Sequence, residues 1–166
     1  MLVGKTFIRI DDRLIHGQIA VAWAQTLSIA EILAFDDATA NNVMLQKIML
    51  AGISKDYHPR ILGFANAEEA LSKEITGNRL VIVRSPKHLP SIMPYIQNLD
   101  TLYLGNIQKT KDAKYNLSSG AGGVLFFSPE DIEILDQYHL DGVNIVLQMV
   151  PSAGSRNWEQ AKKKFK

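Results

Sequence analysis

Short apolar runs alternate with amphipathic stretches along most of this chain. Runs at 6–10, 29–35, 60–64, 79–83, 101–104, 122–127 and 143–148 read as strands. Helical spacing falls at 18–27, 39–52, 66–73, 87–98 and 129–138. The alternation predicts an α/β fold: an open, mainly parallel twisted sheet of about seven strands with helices on both faces. Leu80-Val-Ile-Val83 shows no polar alternation, as expected of a strand covered on both sides. The stretch 122–148 is less regular, and an antiparallel edge strand is expected there.

Length and composition narrow the picture. A chain of 166 residues favours one domain, 1–166, with a substantial core. Eighteen basic and seventeen acidic residues leave a charge of +1, which gives no electrostatic footprint for nucleic acid. Cysteine is absent, which excludes disulfides, thiolate catalysis and cysteine metal sites. No apolar run reaches the roughly 18 residues of a membrane span. The N-terminus lacks the layout of a signal peptide, so a cytoplasmic location is expected.

The chemistry concentrates at residues 9–18, Arg-Ile-Asp-Asp-Arg-Leu-Ile-His-Gly-Gln. The strand 6–10 feeds a loop with Asp11, Asp12, Arg13, Leu14, Ile15 and His16, and Gly17 leads into an apolar helix. A helix N-terminus offers free N–H groups and a positive dipole end, a setting worth about 0.3–2 kcal/mol to an anion. It also favours a neutral imidazole with a lone pair available for attack. A phosphoryl group on His16 would meet backbone donors around 14–17 and the Arg13 guanidinium. The plainer alternative makes His16 a polar residue satisfied by backbone at a helix start.

Polar residues at the other strand ends, Asp36, Asp37, Arg84, Ser85, Gly105 and Asn106, should converge on the same sheet edge, where α/β folds bind ligands. Asp36 is read as a loop organiser and Ser85 as a helix cap, with a hydrogen bond to the phosphoryl group as the alternative for Ser85. No His/Asp/Glu cluster has metal-ligand spacing, so neither a metal nor a cofactor is expected. His58, His88 and His139 read as surface or terminus residues. Gly120-Ala-Gly-Gly123 lacks the nucleotide-binding P-loop pattern and reads as a turn. Lys109, Lys111 and Lys114 either attract an acidic partner or form a solvated loop. The final Lys162-Lys-Lys-Phe-Lys166 reads as a solubilised helix end rather than a membrane contact.

The 9–18 stretch resembles the phosphorylation-site motif of IIB components of the mannose/fructose/sorbose family of the bacterial phosphoenolpyruvate-dependent sugar phosphotransferase system. Three weaker matches follow in the family's order: Asp36 after the second strand, Leu104-Gly105-Asn106, and Ser128-Pro129-Glu130-Asp131 before Gly142-Val143-Asn144-Ile145-Val146-Leu147. The resemblance implies a mixed sheet and a phosphoryl carrier, a protein-Nπ-phosphohistidine–sugar phosphotransferase. His16 would accept the group on Nδ1 from a IIA phosphohistidine and pass it to a sugar held by IIC and IID membrane subunits. It further implies that Arg13 pairs with phosphoryl oxygens and that Asp11 holds the loop or orients the ring. Membrane contact would come only through partners, sugar choice would rest largely with them, and a homodimer would suit paired IIA domains. The donor is already an activated phosphoramidate, so the mechanism requires no metal or nucleotide. A histidine phosphatase is disfavoured because Leu14 and Ile15 separate Arg13 from His16. The non-enzyme alternative is a regulatory domain that binds an anion or phosphosugar without covalent labelling.

Overall fold

The structure is a computed structural model that describes residues 4–120 and 123–165, with residues 18, 19, 119 and 120 as backbone only. Its strands are β1 Thr6–Asp11, β2 Ile29–Phe35, β3 Arg60–Leu62, β4 Asn78–Val83, β5 Leu99–Asn106, β6 Tyr115–Gly120, β7 Gly123–Phe127, β8 Ile145–Leu147 and β9 Arg156–Asn157. Its α-helices are α1 Gly17–Thr26, α2 Asp37–Ala40, α3 Val43–Leu50, α4 Ala67–Ser72, α5 Pro129–Leu140 and α6 Trp158–Lys162. Seven strands form the main sheet in the order β3-β2-β4-β1-β5-β8-β9. All neighbours in it are parallel except β8 and β9. The expected α/β architecture, with its mixed but mostly parallel sheet, is present.

Both faces of the sheet are buried, which explains the unbroken apolar runs. On one face Ile8, Ile10, Leu33, Phe35, Val81 and Val83 pack with Leu71 of α4, Leu135 of α5 and Trp158 of α6. On the other, Phe7, Ile32, Ala34, Leu80 and Ile82 pack with Ala20, Trp23 and Ala24 of α1. Alternate residues of each strand therefore point into different cores, both apolar. Ser128 and Asp131 form a reciprocal capping box at the start of α5, with Pro129 in the first turn.

Several boundaries differ from the sequence expectation for identifiable reasons. The helical pattern at 39–52 splits because Asn42 leaves helical geometry and caps α3 through Leu45 N–H. The pattern at 87–98 becomes two 3₁₀ turns, Pro86–Ser91 and Met93–Tyr95. Pro90 and Pro94 lack the N–H groups an α-helix would need there. The run at 122–127 is not in the main sheet: β7 pairs antiparallel with β6 in a separate hairpin. The antiparallel edge strand is the two-residue β9, downstream of the 122–148 stretch where it was expected. Gly120-Ala-Gly-Gly123 includes two residues, 121 and 122, outside the described residues. No helix among the described residues is long and apolar enough to cross a membrane.

The sequence reading made the C-terminal segment a solubilised helix, whereas α6 is anchored in the core through Trp158 and Ala161. Trp158 is fully buried, meets Phe127 edge-on at 5.8 Å and donates its indole N–H to Asp136 at 2.8 Å. Trp158→Ala is expected to destabilise the fold by about 3–5 kcal/mol in urea denaturation. Leu140→Ala, at an exposed helix end, should stay within about 0.5 kcal/mol of the parent.

Candidate active site

The site is built on the last residue of β1. Asp11 is fully buried at the carboxyl edge of the sheet, and its carboxylate gathers five hydrogen bonds. Its Oδ1 accepts from Arg13 N at 3.0 Å and Arg13 Nε at 3.2 Å. Its Oδ2 accepts from Arg9 Nη2 at 3.2 Å and Arg13 Nη2 at 3.3 Å, and lies 3.3 Å from His16 Nε2. Burial alone would raise this carboxyl, but hydrogen bonds from His16 and Arg13 and the charge of Arg9 bring it down to about 2. Asp11 is therefore a fixed anion at neutral pH.

Local chain geometry presents His16. The bond from Arg13 N to the Asp11 side chain, with Leu14 N donating to the Asp11 carbonyl at 2.9 Å, folds residues 11–14 into a tight turn. Leu14 takes a left-handed conformation with φ of 60°, uncommon for a bulky residue. Burial of the Leu14 and Ile15 side chains in the α1-side core holds it there. These two residues anchor the loop, and their side chains face the core. His16 then occupies the N-cap position of α1, makes no side-chain cap, and is 29% exposed. With Nε2–H directed at Asp11, the ring's other nitrogen, Nδ1, carries the lone pair.

Arg9 is the site residue that sequence reading missed. It is 2% exposed, and besides Asp11 it donates to the carbonyls of Gln148 at 3.1 Å and Met149 at 2.8 Å. Its guanidinium lies 5.3 Å from the centre of the Trp23 ring, and Trp23 Nε1 donates to the same Met149 carbonyl at 3.1 Å. Gly105 belongs to this arrangement. A Cβ there would fall 2.2 Å from Arg9 Nη2 and 2.4 Å from its Cζ, so the glycine makes room for the cation. A charge inside the apolar run Phe7-Ile8-Arg9-Ile10 was the available signal, because a buried guanidinium must have partners.

A second polar network braces the same edge. Asn106 Nδ2 donates to Asp12 Oδ1 at 2.7 Å, and Asn106 Oδ1 accepts from Val124 N at 3.0 Å. Arg84 donates to the Asp12 carbonyl, lies 3.3 Å from Asp36 Oδ1 and reaches Thr39 Oγ1 at 3.3 Å. Asp36 caps α2 through Thr39 N–H and hydroxyl. Burial opposes its ionisation, but Thr39 and Arg84 together hold it below the ordinary carboxylate range. Ser85 accepts from Lys87 N at 3.3 Å and caps the following turn. Lys109, Lys111 and Lys114 lie on an exposed loop between β5 and β6. His88 is half-buried and stacked on Phe64 at 4.9 Å; burial lowers its pKa. His139 Nε2 lies 3.3 Å from Glu159, and His58 is an exposed left-handed turn residue. No metal-holding group of His, Cys, Asp and Glu occurs among the described residues.

A family model described as the PTS system sorbose subfamily IIB component matches residues 5–166. The chain belongs to that family. This IIB component is 26% identical over 147 residues to the N-acetylgalactosamine-specific phosphotransferase enzyme IIB component 1 of Escherichia coli (strain K12), covering 86% of this chain and 89% of that protein. Its fold is similar to the crystal structure of manxB from Thermoanaerobacter tengcongensis, with a TM-score of 0.81 and 23% identity over 99% and 98% of the two chains. The IIBSor domain of the sorbose permease from Klebsiella pneumoniae is alike in fold at a TM-score of 0.80 and 18% identity, over 96% and 98%. The protein is thus a phosphoryl-transfer component of a sugar phosphotransferase system.

Two outcomes follow for the IIB site. Gly105→Ala should push Arg9 off Met149 and Asp11 and destabilise the protein by about 1–3 kcal/mol, read by urea denaturation. The Asp11 carboxyl falls from an ordinary 3.8 to about 2 on folding. Its stabilising contribution, about 2 kcal/mol, is therefore complete above pH 3.8 and lost as pH falls through about 2. Asp11→Asn should flatten the pH dependence of stability in that window.

Proposed function

We propose that residues 1–166 act as a single cytoplasmic phosphocarrier domain. In this reading, His16 accepts a phosphoryl group from a IIA phosphohistidine and passes it to a sugar held by IIC and IID membrane subunits. The observation that carries the proposal is the Asp11–His16 contact: a carboxylate bonded to Nε2 leaves the lone pair on Nδ1 of a part-exposed ring. Nδ1 attacks phosphorus in line; its P–N bond forms as the bond to the donor imidazole breaks. The phosphorylated ring keeps its Nε2 proton and gains positive character, which the ionised Asp11 stabilises. Asp11 remains a carboxylate throughout and takes no proton.

The two arginines divide the work. Arg9 is enclosed and keeps Asp11 partnered at every stage. Arg13 is 39% exposed; its guanidinium donates twice to Asp11 and once to Met149 Sδ at 3.6 Å, and it would exchange part of this bonding to pair with a phosphoryl group on His16. The start of α1 faces the same group with its positive dipole end. The carried group is then passed on when a sugar hydroxyl oxygen attacks phosphorus and the P–Nδ1 bond breaks.

Intact-mass analysis with phosphoenolpyruvate, the two general phosphotransferase proteins and a cognate IIA tests the carrier reading. One acid-labile phosphoryl adduct is expected on the parent and none on His16→Ala. Arg13→Ala should still be labelled, at a rate lower by about 10²-fold or more. No adduct on the parent in the presence of phosphorylated IIA would overturn the carrier and leave an anion-binding regulatory domain. Nitrogen chemical shifts of the labelled ring should assign the phosphorus to Nδ1.

A further inference from the structure

One side of the site is supplied by the segment that follows β8. Gln148 N donates to the Leu104 carbonyl of β5 at 3.0 Å, and its side-chain Nε2 donates to the carbonyls of Pro151 at 3.2 Å and Ala153 at 2.9 Å. The segment is thus tied to the sheet and closed on itself on either side of Met149. Met149 is 5% exposed, and its carbonyl accepts from Arg9 Nη2 at 2.8 Å and Trp23 Nε1 at 3.1 Å. Its side chain then meets both arginines: Sδ lies 3.6 Å from Arg13 Nη2 and 3.9 Å from Arg9 Nη2. The same two Nη2 groups donate to Asp11 Oδ2, at 3.3 Å and 3.2 Å. Two acceptors are therefore shared between the two cations, one an anion and the other a neutral thioether.

We propose that Met149 is a positioning residue for Arg13: its thioether orients the guanidinium beside His16 and yields it to phosphoryl oxygens. The inference rests on His16 being the phosphoryl acceptor. As the P–Nδ1 bond forms and the bond to the donor imidazole breaks, an Nη2–H of Arg13 passes from Sδ to a phosphoryl oxygen, and no proton changes owner. The exchange is favourable because a thioether is a weak acceptor, whereas a bond from guanidinium to an ionised oxygen is among the strong ones. An amide at this position would compete with the incoming oxygens. An aliphatic side chain would leave the N–H facing carbon. The two arginines differ in what they depend on. Arg9 is anchored by the carbonyls of Gln148 and Met149 as well as by Asp11, so it stays in place. The Arg13 guanidinium is held by the side chains of Asp11 and Met149, so the sulfur governs how it moves. The bonds at the Met149 carbonyl fix the main chain from which the sulfur reaches out.

The test is the initial rate of His16 labelling in the parent, Met149→Gln and Met149→Leu, each alone and combined with Arg13→Ala. Two donors are compared: phosphorylated IIA, and phosphoramidate, from which ammonia leaves as the P–Nδ1 bond forms. Met149→Gln offers Arg13 a stronger acceptor at similar side-chain length, and kcat should fall about tenfold with either donor while KM for IIA stays within about twofold. Met149→Leu conserves volume without an acceptor and should stay within about threefold of the parent. In the Arg13→Ala background neither replacement should alter the rate by more than about twofold, because the residue it acts through is gone. A second readout needs no change at Met149. The carbon resonance of its ε-methyl, identified by its loss in Met149→Leu, should move on phosphorylation of His16 in the parent and stay in place in labelled Arg13→Ala. A methyl that does not move in the parent, or moves equally in Arg13→Ala, would overturn the proposal. So would an unslowed Met149→Gln, or slowing that persists without Arg13. Equal slowing by Gln and Leu, at matching urea midpoints, would make packing the cause and overturn it too. Slowing confined to IIA as donor would assign Met149 to a partner contact instead. A parent labelled by neither donor would remove the carrier reading itself.

Discussion

The buried pair of Arg9 and Asp11 is the interaction around which the rest of this molecule is arranged. Both side chains are almost completely out of water, at 2% and 0% exposure, in the middle strand of a mainly apolar sheet. Removing two charges from solvent costs several kcal/mol per ion, and attraction between them offsets this only when other hydrogen bonds complete the geometry. The fold supplies those bonds from distant places. The carbonyls of Gln148 and Met149 arrive from the segment after β8, the Trp23 ring from α1, and open space from Gly105 on β5. Each of these elements is fixed in position partly because the guanidinium is there.

The sheet topology explains why that pair sits where chemistry is possible. β1 leads through α1 to β2 on one side, whereas β5 leads on to β8 on the other. The chain therefore departs in opposite directions between β1 and β5, and a crevice forms beyond their carboxyl ends. Asp11 and Asp12 enter it from β1, and Asn106 enters from β5. The Asp12–Asn106 bond and the Arg84 bridge from Asp12 to Asp36 tie four strand ends, those of β1, β2, β4 and β5, into one rim. The part-exposed His16 imidazole lies beside that rim.

The loop between β1 and α1 combines constraint with reach. Leu14 and Ile15 anchor it by burial, and the left-handed backbone at Leu14 is the local strain that this anchoring sustains. Arg13 and His16 are the parts left open to solvent. Positioning and electrostatics are the main contributions a protein can make to phosphoryl transfer, and the loop combines a fixed backbone with a buried anion beside an imidazole.

Much of this was legible along the chain. Apolar runs located β1, β2 and β4 closely, because a strand buried on both faces needs an apolar residue at nearly every position. The Ser128-Pro129 start of α5 was equally plain, since capping chemistry depends on adjacent residues. That Asp11, Arg13 and His16 lie together was legible because a strand, a polar loop and a helix follow one another within a dozen residues. Elements shorter than a periodicity can register, such as β9 and the proline-broken turns at 86–95, were not legible. Nor were the partners of Arg9: main-chain carbonyls about 140 residues away carry no residue-type signature, and Gly105 reveals its purpose only when a guanidinium lies against it. Local sequence determined which chemistry this protein can perform. Tertiary packing alone decided which carboxylate would be held ionised and which nitrogen of His16 would lie against it, because both depend on groups that meet only when the sheet is complete.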